Sequence, residues 1–279
     1  MSTYEDYDRA ASSYASIRRP IGVDPLLAGI AHFGGGRPGD AVVLDAGCGV
    51  GLYTREFARS GFRVHGCDHS PGMLREARLA VEGLSPAERR LVELHEADIR
   101  RLPFGDGEFD VVLLSLVLHH VARDSERQGV IEALTELNRV LRPGGVLVTA
   151  TCSPAQVTDG AWYCALVPEA VEILLERHGT LDEQAEDAMS AGFEKVARIV
   201  PLDELLHGED YLNTDGPFDP AWRSSDSIFA LSDPGELTRA QDELSRMKED
   251  GSLTSWLERR ERRRESVGQA TFTFYRRGG

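Results

Sequence analysis

The chain has 279 residues, 41% apolar and 28% charged, which suits one or two globular domains with an ample core. No run of eighteen apolar residues occurs, so a membrane-spanning helix is excluded, and the acidic start Met1 to Asp8 lacks the features of a secretion signal, so a cytoplasmic protein is expected. A formal net charge of −15 disfavours a nucleic-acid partner, whose phosphates call for Lys and Arg.

The charge is unevenly spread. Residues 181–250 hold 18 acids against 6 bases, whereas 251–279 hold 3 acids against 7 bases. The run Arg259 to Arg264, interleaved with Glu258, Glu261 and Glu265, suits a solvated helix with i,i+3 and i,i+4 pairs. The four cysteines, Cys48, Cys67, Cys152 and Cys164, include no CxxC pair and no His/Cys cluster at ligand spacing, so no metal is expected.

In chain order, Tyr4, Tyr7, Ala11 and Tyr14 fall on one helical face, and residues 1–37 are expected to form an N-terminal helical flap. The glycine-rich stretch Phe33 to Gly39 leads to a first strand at 41–45, and further strands are expected at 63–68, 92–98, 109–115, 146–151, 194–200 and 270–275. Helices alternate with them. Ser70-Pro71 starts one, residues 125–141 carry another, and Thr180 with Glu183 caps a third that Gly192 closes. The alternation implies an α/β fold, Rossmann-like, with a seven-stranded, mostly parallel sheet and helices on both faces. Residues 38–200 form its core, which strand 269–276 completes. Residues 154–179 add an extra helix, Pro168 to His178, preceded by Trp162 and Tyr163. Residues 201–268, which hold Tyr211, Trp222, Phe229 and Trp256, are expected to cap the substrate site.

The strongest chemical signal is Val42-Val-Leu-Asp-Ala-Gly-Cys-Gly-Val-Gly51. A strand feeding a glycine loop and then a helix brings backbone amides close to a ligand. The glycines at 47, 49 and 51, with Leu52 next, depart from Gly-x-Gly-x-x-Gly, the dinucleotide spacing. Asp45 would repel a pyrophosphate and attract a cationic amine. A ligand with an ammonium group, an adenosine and no phosphate fits, and S-adenosylmethionine is one.

Asp45-Ala-Gly-Cys-Gly-Val-Gly51 resembles motif I of the class I S-adenosylmethionine-dependent methyltransferases. Asp68, Ala97-Asp98-Ile99, Arg101 to Phe104, the segment Leu116 to Val121, and Leu141 to Leu147 are similar to the later motifs, in order. The resemblance covers residues 40–200 and points to the small-molecule, ubiquinone- and sterol-methyltransferase-like group with a type 11 domain. It implies S-adenosylmethionine as cofactor and S-adenosylhomocysteine as product. Asp45, Gly47, Cys48 and Gly49 would line the motif I loop, and Asp68 would bind both ribose hydroxyls. His69 and Met73 would follow it along the cofactor, Asp98 would take the adenine amine, and Ile99 would pack on the ring. Ser115 or Leu116 would offer a carbonyl to the ammonium group. Tyr7-Asp-Arg-Ala-Ala-x-x-Tyr14 resembles the flap helix of that group, which assigns Tyr14 to cofactor or acceptor.

Methyl transfer from a sulfonium needs alignment and water exclusion, and a base only where the acceptor must lose a proton. His119 and His120 lie after the fourth strand, where an imidazole suits that role, so both join Tyr14 as catalytic candidates. Tyr7, Arg19, Trp162 and Tyr163 are the candidates for the acceptor, and either Arg18 or Arg19 could pair with a carboxylate of cofactor or substrate. The acceptor is expected to be a small organic molecule offering O, N or C, and the exposed flap or cap provides a surface for a homodimer. The alternatives are a protein or RNA methyltransferase, or a non-methylating use of the fold such as cyclisation.

Overall fold

The apolar runs do pair into one seven-stranded sheet: β1 Val42–Ala46, β2 Arg63–Asp68, β3 Val92–Glu96, β4 Phe109–Ser115, β5 Leu141–Thr151, β6 Phe193–Ile199 and β7 Thr271–Arg277. The computed structural model describes residues 7–121 and 127–278, except for the side chain of Tyr7. Tyr4 and the start of the helix expected at 125–141 lie outside those residues. The strand order is β3-β2-β1-β4-β5-β7-β6, with β7 antiparallel to both β5 and β6 and the other pairs parallel. The order reverses between β1 and β4, which places a crevice at their carboxyl ends.

The central strands read as apolar runs because both faces of the sheet are covered. On one face Leu44, Val112, Leu114 and Leu147 pack against Val130, Leu134 and Leu137 of helix Gln128–Val140 and against Ala185 and Ala188 of helix Leu181–Ser190. On the other, Val43, Val111, Val146 and Phe274 meet Leu26 and Ile30 of helix Val23–Phe33, Phe57 of helix Leu52–Arg59 and Val81 of helix Pro71–Glu82. Strand β5 begins five residues before its expected start. Leu141 pairs with Phe109, and the register then shifts so that Val146 pairs with Val111, leaving the Pro-Gly-Gly stretch as a bulge.

Within the expected flap, the described residues form two helices with different partners. Helix Tyr7–Ile17 lies against helix Pro71–Glu82, while helix Val23–Phe33 packs on the sheet. A Cβ on Gly29 would stand 2.4 Å from the Phe274 ring, so this helix sits flush on β7. The 201–268 segment is largely helical, with Pro234–Glu249 and Leu253–Val267 as its long elements. It shares one buried cluster with residues from the β5–β6 connection: Trp162, Tyr163, Val167 and Val171 pack with Tyr211, Trp222, Leu244 and Met247.

Candidate active site

The chain leaves β1 through three glycines with positive φ, Gly47 at 73°, Gly49 at 53° and Gly51 at 77°. A side chain at 47 would be strained and would also strike Val117, since a Cβ there would lie 2.5 Å from it. The N–H groups of Gly47 and Cys48 donate to the Cys67 carbonyl at 2.8 and 2.9 Å, and that of Gly49 to Asp68 Oδ2 at 2.9 Å. The loop is thereby tied to the end of β2. Gly51 opens helix Leu52–Arg59, from which the Thr54 hydroxyl donates to Asp45 at 2.6 Å. Burial pushes the Asp45 carboxyl up to about 6 against that hydrogen bond, so at neutral pH it is mainly a carboxylate at the floor of the crevice.

Asp68 ends β2. Its Oδ2 accepts from Gly49 and its Oδ1 from the Ser70 N–H at 2.9 Å, so each oxygen keeps capacity for a further donor. Burial raises this carboxyl too, with the backbone donors opposing. Ser70 caps helix Pro71–Glu82 by accepting from Met73 N–H at 3.0 Å. Asp8 of the N-terminal helix accepts from the Ser70 hydroxyl at 2.6 Å and from Gly72 N–H at 2.8 Å, which holds that helix against the crevice.

These groups line a cavity of about 580 Å³, within the usual ~300–1,000 Å³ span of small-molecule sites. Asp45, Gly47, Cys48, Gly49, Asp68, His69, Met73, Asp98, Ile99, Ser115, Leu116 and Tyr14 all border it, as do His120 and Arg19. Met73 is buried with Ala11 and Val50, and His69 is exposed at the rim. Asp98 differs from expectation in one respect. Arg100 grips its carboxylate, with Nε 3.0 Å from Oδ1 and 3.2 Å from Oδ2, and hydrogen bonds from that side chain pull it down to about 2. An adenine amine would share an acceptor already occupied. Leu116 is left-handed, with φ 54°, and its N–H donates to the Ala150 carbonyl, which turns the chain out of β4 along the cavity wall.

A second cavity of about 80 Å³ adjoins the first, and the two share Tyr14, Arg18, Leu116, His120 and Leu206. Its other walls come from Cys152, Gln156, Tyr163, His178 and Asp226. His120 borders both cavities, whereas His119 borders only the second. The His119 ring stacks on His178 at 4.3 Å between centroids. Burial pushes His120 down to about 3, His178 down to about 4 and His119 well below the ordinary value, so the three are neutral at pH 7.

The acceptor candidates separate. Tyr163 borders the second cavity, and its hydroxyl donates to Asp226 at 2.7 Å. Trp162 lines neither cavity: it is fully buried in the cap cluster, and its indole N–H donates to the Tyr211 carbonyl at 2.6 Å. Arg19 is exposed and binds the Ser16 and Arg18 carbonyls at 2.8 and 2.9 Å, so its guanidinium serves the helix end. The side chain of Tyr7 lies outside the described residues. Arg18, the neighbour of Arg19 and the other arginine considered for a carboxylate, is the buried one. It is 6% exposed, sits 5.3 Å over the Tyr14 ring and meets Asp226 only at 3.5 Å. Extending the Ala11–Tyr14 face by four residues leads to it. His207 and Asp226 carried no such signal.

Residues 44–149 match the family model described as a methyltransferase domain. The chain is 34% identical over 161 residues to malonyl-[acyl-carrier protein] O-methyltransferase of Serratia marcescens, covering 56% of this chain and 55% of that protein. It is 38% identical over 121 residues to demethylmenaquinone methyltransferase of Beutenbergia cavernae, covering 43% of each. The matched stretch thus spans about half the length of these curated relatives. A solved structure from Anabaena variabilis, described as a putative methyltransferase from an antibiotic biosynthesis pathway, superposes with TM-score 0.69 at 19% identity, covering 91% of this chain and 96% of that one. This likeness establishes a common fold. No helix among the described residues is long and apolar enough to cross a membrane. Residues 44–149 thus carry a methyltransferase domain, and the motif I loop, the acid that ends β2 and the cradle that a Cβ at Gly47 would obstruct fit the S-adenosylmethionine that such domains use.

Proposed function

We propose that this protein transfers a methyl group to a small organic acceptor held in the second cavity. The observation that carries this reading is the pair of adjoining cavities, one about 580 Å³ and one about 80 Å³, meeting at Tyr14, Arg18, Leu116, His120 and Leu206. The cofactor supplies an electrophilic methyl group on a sulfonium. The protein's part is to align, to exclude water and to handle charge. Asp68 takes the ribose hydroxyls with the free capacity of its two oxygens, and Asp45 draws the ammonium group toward the end of β1. Met73 and Ile99, both buried, flank the adenine, and Tyr14 sits where the two ligands meet.

At the acceptor, His120 is a neutral imidazole pushed down to about 3, too weak a base to hold a proton at pH 7. It orients the nucleophile by a hydrogen bond. Arg18 borders both cavities, has among the described residues one carboxylate partner, Asp226 at 3.5 Å, and favours an acceptor oxygen that is already ionised. An oxygen nucleophile of an organic acid is therefore the reading preferred over nitrogen or carbon. The small volume and the cap around this cavity favour a small molecule over protein or RNA.

The test is to incubate the protein with S-adenosylmethionine carrying a heavy methyl group and an extract of its source cells, split by size before mass spectrometry. Label in small molecules, stable to acid and released by alkali as an ester would be, is expected. Label confined to protein or RNA overturns the proposal. No label at all, with cofactor binding seen by calorimetry, points instead to the non-methylating use of the fold.

A further inference from the structure

The connection from β3 to β4, residues 97–108, contains no helix, so the outer part of one sheet face is covered only by a loop that carries Phe104. Beneath it β2 and β3 run parallel with His65 beside Glu93 and Cys67 beside His95. Side chains of alternate residues share a face, so His65, Glu93 and His95 project together. His65 Nδ1 stands 3.1 Å from His95 Nε2, and Glu93 Oε2 lies 3.9 Å from the first and 4.0 Å from the second. The two imidazole planes are within 10° of each other, and Phe104 packs edge-on to both rings, Phe109 to that of His65. The rings are thus locked with two nitrogens turned toward one point.

We propose that His65, Glu93 and His95 form a binding site for one divalent transition-metal ion of the zinc type, separate from the methyl-transfer site. Two imidazoles and one carboxylate form a donor set of borderline softness, which suits Zn²⁺ and excludes the oxygen-loving Mg²⁺ and Ca²⁺. With Zn–N bonds of about 2.05 Å, nitrogens 3.1 Å apart subtend an angle of about 98°, close to tetrahedral. Glu93 must close in by only about 0.6 Å, and its side chain, 65% exposed, is free to do so. Water completes the coordination from the exposed side. The ion staples edge strand β3 to β2, which end at residues bordering the cofactor cavity, Glu96 and Asp68. His65 and His95 lie 30 residues apart, which is why no ligand spacing appears in the sequence.

The test uses the full chain, stripped with a chelator and titrated with ZnSO4 by calorimetry and thermal unfolding. One ion per chain and a raised Tm are expected, with no competition from a hundredfold excess of Mg²⁺. His95→Asn should weaken Zn²⁺ binding by at least about tenfold and abolish the Tm shift. Glu93→Gln, at an exposed position that no fold contact needs, should weaken it by about tenfold and so carries the test even if His95→Asn unfolds. Absence of binding at about 100 µM Zn²⁺, or equal binding by wild type and Glu93→Gln, overturns the proposal, the latter because the ion then sits elsewhere.

Discussion

The larger cavity draws most of its walls from short stretches just past the ends of parallel strands, around residues 45–53, 68–73, 96–99 and 115–121. The smaller one borrows from Tyr14, His120, Cys152, Tyr163, His178, Leu206, Asp226 and Gln269, spread over most of the chain. In the first, backbone does much of the work, through positive-φ glycines and N–H groups donated to Asp68. In the second, side chains do it, packed on a cap whose core of Trp162, Tyr211 and Trp222 is distinct from the two sheet cores. One part is built from local backbone patterns, and the other from side chains that converge over long range.

That contrast can be broken most sharply at Trp222, which is 2% exposed and borders neither cavity. Trp222→Ala should lower stability by about 3–5 kcal/mol in urea unfolding, while the folded protein keeps its cofactor Kd within about twofold, because Trp222 itself borders neither cavity. A parallel loss of cofactor binding would mean that cap and cradle are one unit. Gly47→Val attacks the other side. A left-handed φ and a Cβ 2.5 Å from Val117 should together cost about 3 kcal/mol, and calorimetry should find cofactor affinity down by about a hundredfold or more. Normal binding would show that the loop can relax.

Asp68→Ala should weaken the cofactor by about 1–3 kcal/mol, roughly ten- to a hundredfold in Kd. Asp68→Asn, which keeps one acceptor, should fall between. Unchanged affinity in both would remove Asp68 from the ribose.

The smallest effect is the pH response of Asp45. Its carboxyl is raised to about 6 by burial from an ordinary 3.8, so between about pH 4 and 6 the folded chain holds a proton that the unfolded chain has released. This group's contribution to the stability of the ligand-free protein is present below that window and declines as pH rises through it. Cofactor binding runs the other way, since an ammonium group prefers the carboxylate. Affinity should rise by up to about tenfold from pH 5 to pH 7 as the carboxylate forms, and Asp45→Asn should flatten both profiles. A rise that persists in Asp45→Asn would assign it to another group.

Much of the cradle was legible because its determinants are local. A strand, three glycines with positive φ and an acid at the end of the next strand are all short-range patterns, and the seven expected strands lie within a few residues of the observed ones, with β5 the main exception. Its early start follows from the Phe109–Leu141 pair, a long-range contact that overrides the Pro-Gly-Gly stop signal. Helix Val23–Phe33 reads as flap from sequence because its apolar face has no stated partner until β7 arrives from the far end of the chain. The choice between Arg18 and Arg19 shows the same limit. Both are arginines at a helix end, and only the docking of that helix beside Asp226 buries one and leaves the other in water.

What the sequence determined by itself, then, is the alternation of strand and helix, the methyltransferase-domain motifs and the glycine loop, since periodicity and turn chemistry act over a few residues. Tertiary structure alone decided which residues line the second cavity, that Asp98 is held by Arg100, that His119, His120 and His178 are neutral, and that His65 meets His95. Burial and the convergence of distant side chains are properties of the packed chain: they set the dielectric around each charge and the partner each group finds.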